Sequence, residues 1–521
     1  MKDPSGAVVP AAQVTITNEA TNQTMTSKTD SNGSYTFTPI PVGVYTVTAS
    51  DSGFQKTVHT HVTVNIQEQT VANLTLVPGN VTQTVSVTAE PPLLQTQNAS
   101  VQQVVTSKAI NDLPLNGRNA TYLARLDAGV TPAHNSGRGL TDSGSFSANG
   151  FGSLQNNYLL DGIDDNAEVG DLINQTQYVV MPPPDAVSEF TVQTNNYSAE
   201  FGHAAGAVLN ATTKSGTNRL QGDLWEFIRN DHLDGTPFFL NAAGQQKAEY
   251  RLNQFGFTLG GPVVVPHIYH GRNKTFFFGY YQGTRIREGS TAVSTVPTVA
   301  ERASGFTNFQ DLIAGQSGTR KDILGRSFPL GTIFDPATTR AITKGQIDPV
   351  TGLMAPSTGY VRDPFYRGSL NGVTNFTTPA AEGLLNVIPA NRLDPNAIKL
   401  VNLYPQPTGS SLLSNYTSAP IDMNDEDQGG IRIDQYFGEN DRMFGSYALS
   451  DVVSTAPGPF PGLADGQANR PGSGTTTARN WAVSETHIFS PTFINEARFG
   501  YSRLHDVRLQ LNGDDLSNIP A

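Results

Sequence analysis

The chain has 521 residues and a formal charge of −12, with a pI near 5.2, and no Lys/Arg cluster, so the basic surface that phosphate binding needs is missing and nucleic acid is excluded as a partner. It has no cysteine, which removes disulfides, thiol catalysis and Cys-ligated zinc or iron–sulfur centres. With 50 Gly, 33 Pro, 15% charged residues and abundant Thr, Asn and Ser, the composition favours turns and strands and predicts a mainly β protein.

No run approaches the roughly 18 apolar residues of a membrane helix, and Met1-Lys2-Asp3 opens no signal-peptide apolar core. Read literally, that describes a soluble cytosolic chain. The reading fails if the membrane element is a β-barrel, whose strands alternate, or if the true N-terminus lies upstream.

Residues 1–79 hold short alternating runs, "AQVTITN", "GSYTFTP", "GVYTVTAS" and "TVANLTLVP", separated by Gly, Pro, Asn or Asp turns. That spacing predicts a β-sandwich. Tyr35 and Phe37 are expected on one face of a strand, Pro39 to Gly43 in a turn, and Val44-Tyr45 at the head of the return strand. Residues 80–103, "NVTQTVSVTAEPPLLQTQNASVQQ", are polar and β-prone with a Pro-Pro break, as in a linker or an exchangeable strand. Residues 104–217 read as a compact α+β unit, in which Ser107 caps a short helix and Ala120–Leu126 forms another.

Inside that unit, "NNYLLDGIDDN" packs Asp161, Asp164 and Asp165 behind Leu159 and Leu160, with Glu168 and Asp171 downstream. The spacing fails the calcium-loop template, which wants carboxylates at alternate positions and a Gly at the sixth. Two of the acids converging for glycoside hydrolysis stays open as an enzymatic reading, although nothing marks a partner with a raised pKa. The plain alternative is a solvated turn after a buried "YLL". "TKSGTN", 213–218, mimics the lysine motif of serine penicillin-recognising enzymes, but no S-x-x-K supplies a nucleophile, and neither a G-x-S-x-G elbow nor a P-loop occurs. His59 with His61 and His267 with His270 lack further ligands nearby and read as surface or loop histidines, so no metal or cofactor is expected.

From residue 218 the strands lengthen. Ile431, Ile433 and Phe437 face one way while Arg432, Asp434 and Tyr436 face the other, and Phe276, Phe278 and Tyr280 share one side. On pattern alone such strands suit a lipid-facing barrel wall or a soluble core equally well. Ser490-Pro491-Thr492 is expected to be a tight turn between two of them, and about 288–426 is irregular and Pro/Gly-rich, like an external loop.

Asp30, Gly33, Tyr35, Phe37, Pro41, Gly43 and Tyr45 match the D-x-x-G-x-Y-x-F then P-x-G-x-Y pattern, so residues 1–79 resemble carboxypeptidase regulatory-like domains, a binding or spacer sandwich and no peptidase. Its members usually carry a strand before "DPSGAVVPAAQV", which implies that the first strand, and any signal peptide, is missing here. "LPLNGRN" at 113–119, "SANGFGSLQNNYLLDGIDDN" at 147–166, "VSEFTVQTNNYSAEFGHAAGAVLNATTKSGTNRLQGDLWEFIRN" at 187–230, "NQFGFTLGGPVVVP" and "KTFFFGYYQGTR" resemble the TonB-dependent outer-membrane receptors of the Oar-like type.

The resemblance implies a sandwich at 1–79, a linker at 80–103, a plug at 104–217 and the first part of a barrel at 218–521. It also implies TonB, outer-membrane lipid and an unidentified transported ligand as partners, with no enzymatic activity. Thr84, Val85, Ser86, Val87, Thr88, Ala89 and Glu90 then resemble the TonB box, an exposed strand suited to edge pairing, or form the last strand of the sandwich; both readings stay open. Leu160, Asp161, Gly162, Asp164 and Asp165 become a plug turn behind a buried Leu159-Leu160 pair. Lys214, Ser215 and Gly216 mark the plug's exit, Lys214 being structural and Gly216 supplying backbone freedom at a corner. About seven wall strands cannot close a barrel of about 22. The expectation is therefore a fragment of a longer gene that exposes strand edges and aggregates alone. The competing reading is a secreted or surface β-sandwich protein that binds glycan or protein partners.

Overall fold

A computed structural model of the protein describes residues 1–80, 84–88, 100–133, 144–167, 177–242, 247–465, 472–490 and 493–511. In residues 1–80 and 84–88, apolar side chains alternate along β1 (Gln13–Asn18) and β3 (Gly43–Ser50), so Val14, Ile16, Tyr45, Val47 and Ala49 bury one face. With β2 (Thr24–Lys28), β4 (Lys56–Val64) and β5 (Thr84–Thr88) they make a sheet of order β2-β1-β3-β4-β5. Its core is closed by Val9, Leu74 and Leu76.

The strand expected at Tyr35 and Phe37 does not form. Both flanks of β3 are taken by β1 and β4, and Pro39 and Pro41 have no N–H to donate, so residues 34–38 lie outside any ladder. Tyr35 and Phe37 pack against the core instead, edge to face at 6.0 Å. A register shift in the β3–β4 ladder puts His61 at φ 61°, and its backbone N–H donates to Glu19 at 3.0 Å.

The middle domain is a second five-stranded sheet, order β10-β9-β12-β11-β6, of β6 (Val101–Thr106), β9 (Asn157–Leu160), β10 (Ile163–Asp164), β11 (Val187–Asn195) and β12 (Val208–Thr213). A short hairpin, β7 (Val130–Pro132) with β8 (Phe146–Ala148), lies beside it. Helix α1 (Ser107–Asp112) is capped by Thr106 rather than Ser107, and Ala120–Leu126 is a 3-10 helix capped by Asn119.

Residues beyond 217 build one antiparallel sheet in sequence order. It consists of β13 (Gln221–Asn230), β14 (Tyr250–Pro262), β17 (Thr275–Gly289), β24 (Ile421–Tyr436), β25 (Asp441–Ala456), β26 (Gly472–Ser490) and β27 (Phe493–Leu509). Among the described residues β13 and β27 are its edges. The β14–β17 connection carries a small hairpin, β15 (Val264–Val265) with β16 (Tyr269–His270). β26 and β27 pair down to Ser490 and Phe493, so the turn expected there falls on Pro491 and Thr492, outside the described residues.

Alternation along these strands separates two faces. Ala478, Asn480, Ala482 and Ser484 are buried toward the middle domain, while Trp481 is 50% exposed on the far side. Ile431 and Ile433 are also on the far side. The aromatic run at 276–281 points the other way from a lipid-facing reading, because Phe276, Phe278 and Tyr280 are buried on the inner face and the last two pack on Ala186 of the middle domain. Among the described residues no helix is long and apolar enough to cross a membrane.

The interval expected to be an external loop is a folded insert between the paired neighbours β17 and β24. Its small ladders are β18 (Ala292–Ser294) with β23 (Tyr416–Ser418), β19 (Thr319–Lys321) with β20 (Ser327–Pro329), and β21 (Arg340–Ile342) with β22 (Gly359–Val361). Phe328 stacks on Phe376 at 4.7 Å in one core, and Leu324, Ile342, Ala355 and Val361 form another. The wholly buried Arg326 joins Asp322 at 2.7 Å and Asp363 at 2.8 Å, and Arg340 bridges Asp348 and Asp363.

Candidate functional site

Asp161 and Gly162 are the two central residues of the β9–β10 hairpin, where Leu160 pairs with Ile163. Both have positive φ, 53° and 78°, the condition of the tight turn for which Asp-Gly is suited. Leu160 is 2% exposed, but its buried companion on the strand is Tyr158, and Leu159 is half-buried. Strand alternation explains the difference, since neighbours cannot share a face.

The hairpin is pressed onto the inner face of the wall, and Asp161 and Asp165 are buried where a solvated turn was expected. Asp161 is 7% exposed and uses both carboxylate oxygens. They accept from the Thr213 N–H at 2.9 Å and hydroxyl at 2.8 Å, from Arg432 Nη1 on β24 at 2.9 Å, and from Ser446 Oγ on β25 at 3.0 Å. Arg432 also pairs with Asp434 at 2.9 Å and lies 4.2 Å over the Phe444 ring. A guanidinium between two carboxylates, with hydroxyls completing the oxygens, is how a buried charge is made tolerable.

Asp165 is fully buried, accepting from the Val180 N–H at 3.2 Å and from Asn480 Nδ2 on β26 at 3.1 Å. Burial pushes its carboxyl well above the usual carboxylate range, and the neighbouring Asp164 and Asp161 push the same way. Asp164 itself is exposed, and its carbonyl oxygen accepts from Ser502 Oγ on β27 at 2.7 Å. Small residues allow the approach: a Cβ on Gly500 would stand 2.0 Å from Ile163 Cγ2, and one on Gly162 2.4 Å from Arg498 Nη1. Four neighbouring wall strands thus hold one hairpin.

The exit segment repeats the pattern. Lys214 is half-buried, and burial lowers its pKa despite Asp185 and Asp223 nearby. Ser215 Oγ donates to Asp434 at 2.7 Å. Gly216 serves close approach rather than a left-handed turn, because a Cβ there would meet the Phe277 carbonyl oxygen at 2.3 Å and that of Gly261 at 2.7 Å. A second anchor is Arg118 of "LPLNGRN", ion-paired with Asp185 and 4.2 Å over the Phe227 ring of β13.

In the N-terminal sheet, Thr84–Thr88 form the edge strand β5, parallel to β4 with Val85 opposite Thr57 and Val87 opposite His59. Ala89, Glu90, Glu168 and Asp171 lie outside the described residues. The N-terminal domain meets the middle domain through Gln67, which accepts from Thr191 at 2.7 Å and Gln193 at 3.1 Å, and through the Ile66 N–H, which donates to Glu189. Burial pushes the Glu189 carboxyl up to about 7, against the opposing pull of that N–H.

Arg432 and Asp434 were legible as inward residues by alternation; Ser446, Asn480 and Ser502 carried no signal beyond it. The two histidine pairs from the sequence join no ligand cluster among the described residues. The three-donor group found there is Asp441, Glu485 and His487, brought together on the far face because Asp441 lies opposite His487, two residues from Glu485 on the same strand. The His487 ring nitrogen and Asp441 are already hydrogen-bonded.

A family model described as outer membrane beta barrel domain matches residues 212–519, one described as TonB-dependent receptor plug domain matches 94–208, and one described as carboxypeptidase regulatory-like domain matches 1–77. The TonB-dependent transporter Oar of Myxococcus xanthus is 26% identical over 286 residues, covering 53% of this chain and 26% of that protein. Solved structures similar to the chain include the ferric enterobactin receptor of Pseudomonas aeruginosa, at 15% identity and TM-score 0.32 over 78% of this chain and 49% of that one. The outer membrane transporter YddB of Escherichia coli gives 12% identity and TM-score 0.35 over 78% and 48%. The chain therefore spans well under two thirds of the length of each of these proteins.

Proposed function

The chain belongs to the TonB-dependent outer-membrane receptors of the Oar-like type, resident in the Gram-negative outer membrane, and from that premise we propose that it imports or senses a substrate by a plug that TonB unlatches from the wall. In this reading the N-terminal sandwich is periplasmic, the folded insert faces outward, and substrate binds on the insert side. TonB pairs with Thr84–Glu90, a β-prone stretch of the linker, where backbone groups supply the affinity.

The observation that carries the reading is the Asp161 hairpin held by Arg432, Ser446, Asn480 and Ser502. Traction on the linker reaches the plug at β6, one edge of its sheet, while the hairpin secures the other edge at β10. Release then requires parting Arg432 from Asp161; Asp434 remains to hold the guanidinium, and the Asp161 carboxylate keeps the Thr213 N–H and hydroxyl. No covalent step is involved.

The test uses the chain's lack of cysteine. Ile163→Cys, at the hairpin, is treated in cells with a membrane-impermeant maleimide. Labelling that rises with functional TonB, and rises further with Asp161→Asn, is expected. Labelling indifferent to TonB in both backgrounds contradicts the proposal.

A further inference from the structure

Beneath the wall, the N-terminal sandwich leaves a cavity against the inner rim that opens to solvent. The sandwich contributes Asn18, Met25 and Tyr45, and the rim Tyr436, Arg442 and Ile488. The cavity exists because the β1–β2 turn is fastened beside it: the Asn218 N–H donates to Ala20 at 3.0 Å, Asn218 Nδ2 to Thr21 at 2.8 Å, and Gln23 to the Asn273 carbonyl.

Arg442 is the unusual member. It is an inward residue of β25, opposite Tyr436 on β24 and Thr486 on β26. Among the described residues its guanidinium makes neither an ion pair nor a hydrogen bond, unlike Arg432 on the neighbouring strand β24. The cavity's lining contains one acid, Glu439, which is exposed on the β24–β25 turn and is not within ion-pair distance of Arg442. Tyr436, Tyr45 and Glu496 stand near enough to favour its charge and Arg498 opposes it, yet among the described residues none of them is hydrogen-bonded to the guanidinium, and a half-buried cation in that state is costly. Guanidinium presents a planar fork of donors that matches carboxylate and phosphate oxygens. Around it the walls combine two tyrosines, Met25 and Ile488 with the amide of Asn18, the mixture of apolar surface and a few polar groups found in small-molecule sites at domain boundaries.

We propose that this cavity binds a small ligand carrying one oxyanion, a carboxylate or a phosphate, on an aromatic or aliphatic body, and that its occupancy holds the sandwich against the rim. The oxyanion takes the Arg442 fork, and the body lies between Tyr45, Tyr436, Met25 and Ile488. Because the walls come from both domains, a bound ligand favours the seated sandwich by its differential affinity alone. This site is separate from the Asp161 hairpin and does not depend on TonB.

Two probes share a body and differ in the oxyanion: benzoate and phenyl phosphate. Calorimetric titration of the detergent-purified chain should show saturable binding of at least one, weakened at least about tenfold by Arg442→Gln. Should that variant fold poorly, Thr486→Glu places a carboxylate across the ladder from Arg442 and should abolish binding in the same way. Benzoate binding alone assigns a carboxylate ligand and phenyl phosphate alone a phosphate; binding of both assigns the shared oxyanion chemistry. Seating is read with Asn22→Cys and Asn273→Cys, whose native side chains are 3.4 Å apart. The binding probe should raise disulfide yield with Arg442 present and not with Arg442→Gln. Binding of neither probe, equal binding by Arg442→Gln and Thr486→Glu, or a disulfide yield indifferent to probe overturns the proposal.

Discussion

Asp161 was legible in the sequence as half of an Asp-Gly turn, yet its partner Arg432 is 271 residues away, and no local pattern joins them. Alternation correctly put Arg432 opposite Ile431 and Ile433, but it states only which face a side chain takes, not what it finds there. The contact makes a definite prediction. Asp161→Ala removes one carboxylate from a guanidinium that keeps Asp434, and should destabilise the plug against denaturant by about 3 kcal/mol. A double-mutant cycle with Arg432→Gln should return a coupling of about 1–3 kcal/mol, whereas additivity would mean the pair does not act as a latch. Glu189 gives a pH prediction. Its carboxyl titrates near 4.5 when unfolded and near 7 when buried, so between those values the unfolded state binds fewer protons. Stability therefore falls as pH rises through that window, by about 3 kcal/mol in all, and is level outside it. Glu189→Gln should flatten the profile; an unchanged slope between those pH values would assign it to another group.

Among the elements, those with strict alternation were readable and those built on scattered apolar residues were not. β24 and the head of β3 follow from their patterns. The expected strand at Tyr35 and Phe37 alternates equally well, but a strand needs a free neighbour, and β3 has none. The interval read as a loop has the composition of one; its cores come from residues far apart, such as Phe328 with Phe376, and its Asp-Pro pairs supply carboxylates, Asp335, Asp348 and Asp363, to Arg392, Arg340 and Arg326. That the insert is a packed unit predicts a local collapse on losing its central cation. Arg326→Gln takes the cation from Asp322 and leaves Asp363 with Arg340 alone, in a site where Arg326 has no exposure, and should make residues 290–420 cleavable by limited proteolysis while the wall stays intact. An insert as resistant as before would mean the network is dispensable.

For the whole molecule, the order of sandwich, plug and wall could be read along the chain, since each carries its own motifs. How they seat could not. Phe276, Phe278 and Tyr280 have the look of a lipid face and are buried on the inner one, the last two against the plug, because a wall with a filled interior buries its inner face as thoroughly as a membrane covers its outer one. The sandwich closing beneath the plug, through Gln67, Glu189 and Asn218, is likewise invisible to local pattern. Its consequence is mechanical: β5 is an edge strand of the sandwich, paired with β4 on one side, so a partner strand can add to its other side. The most direct measurement is site-specific cross-linking to TonB in cells from photoreactive residues at positions 85, 86 and 88, with and without Val87→Pro. Cross-links that form in the parent chain and vanish with the proline, which removes an N–H from the pairing strand, are the predicted result. Cross-links that persist through the substitution, or never form, contradict pairing of TonB with this stretch.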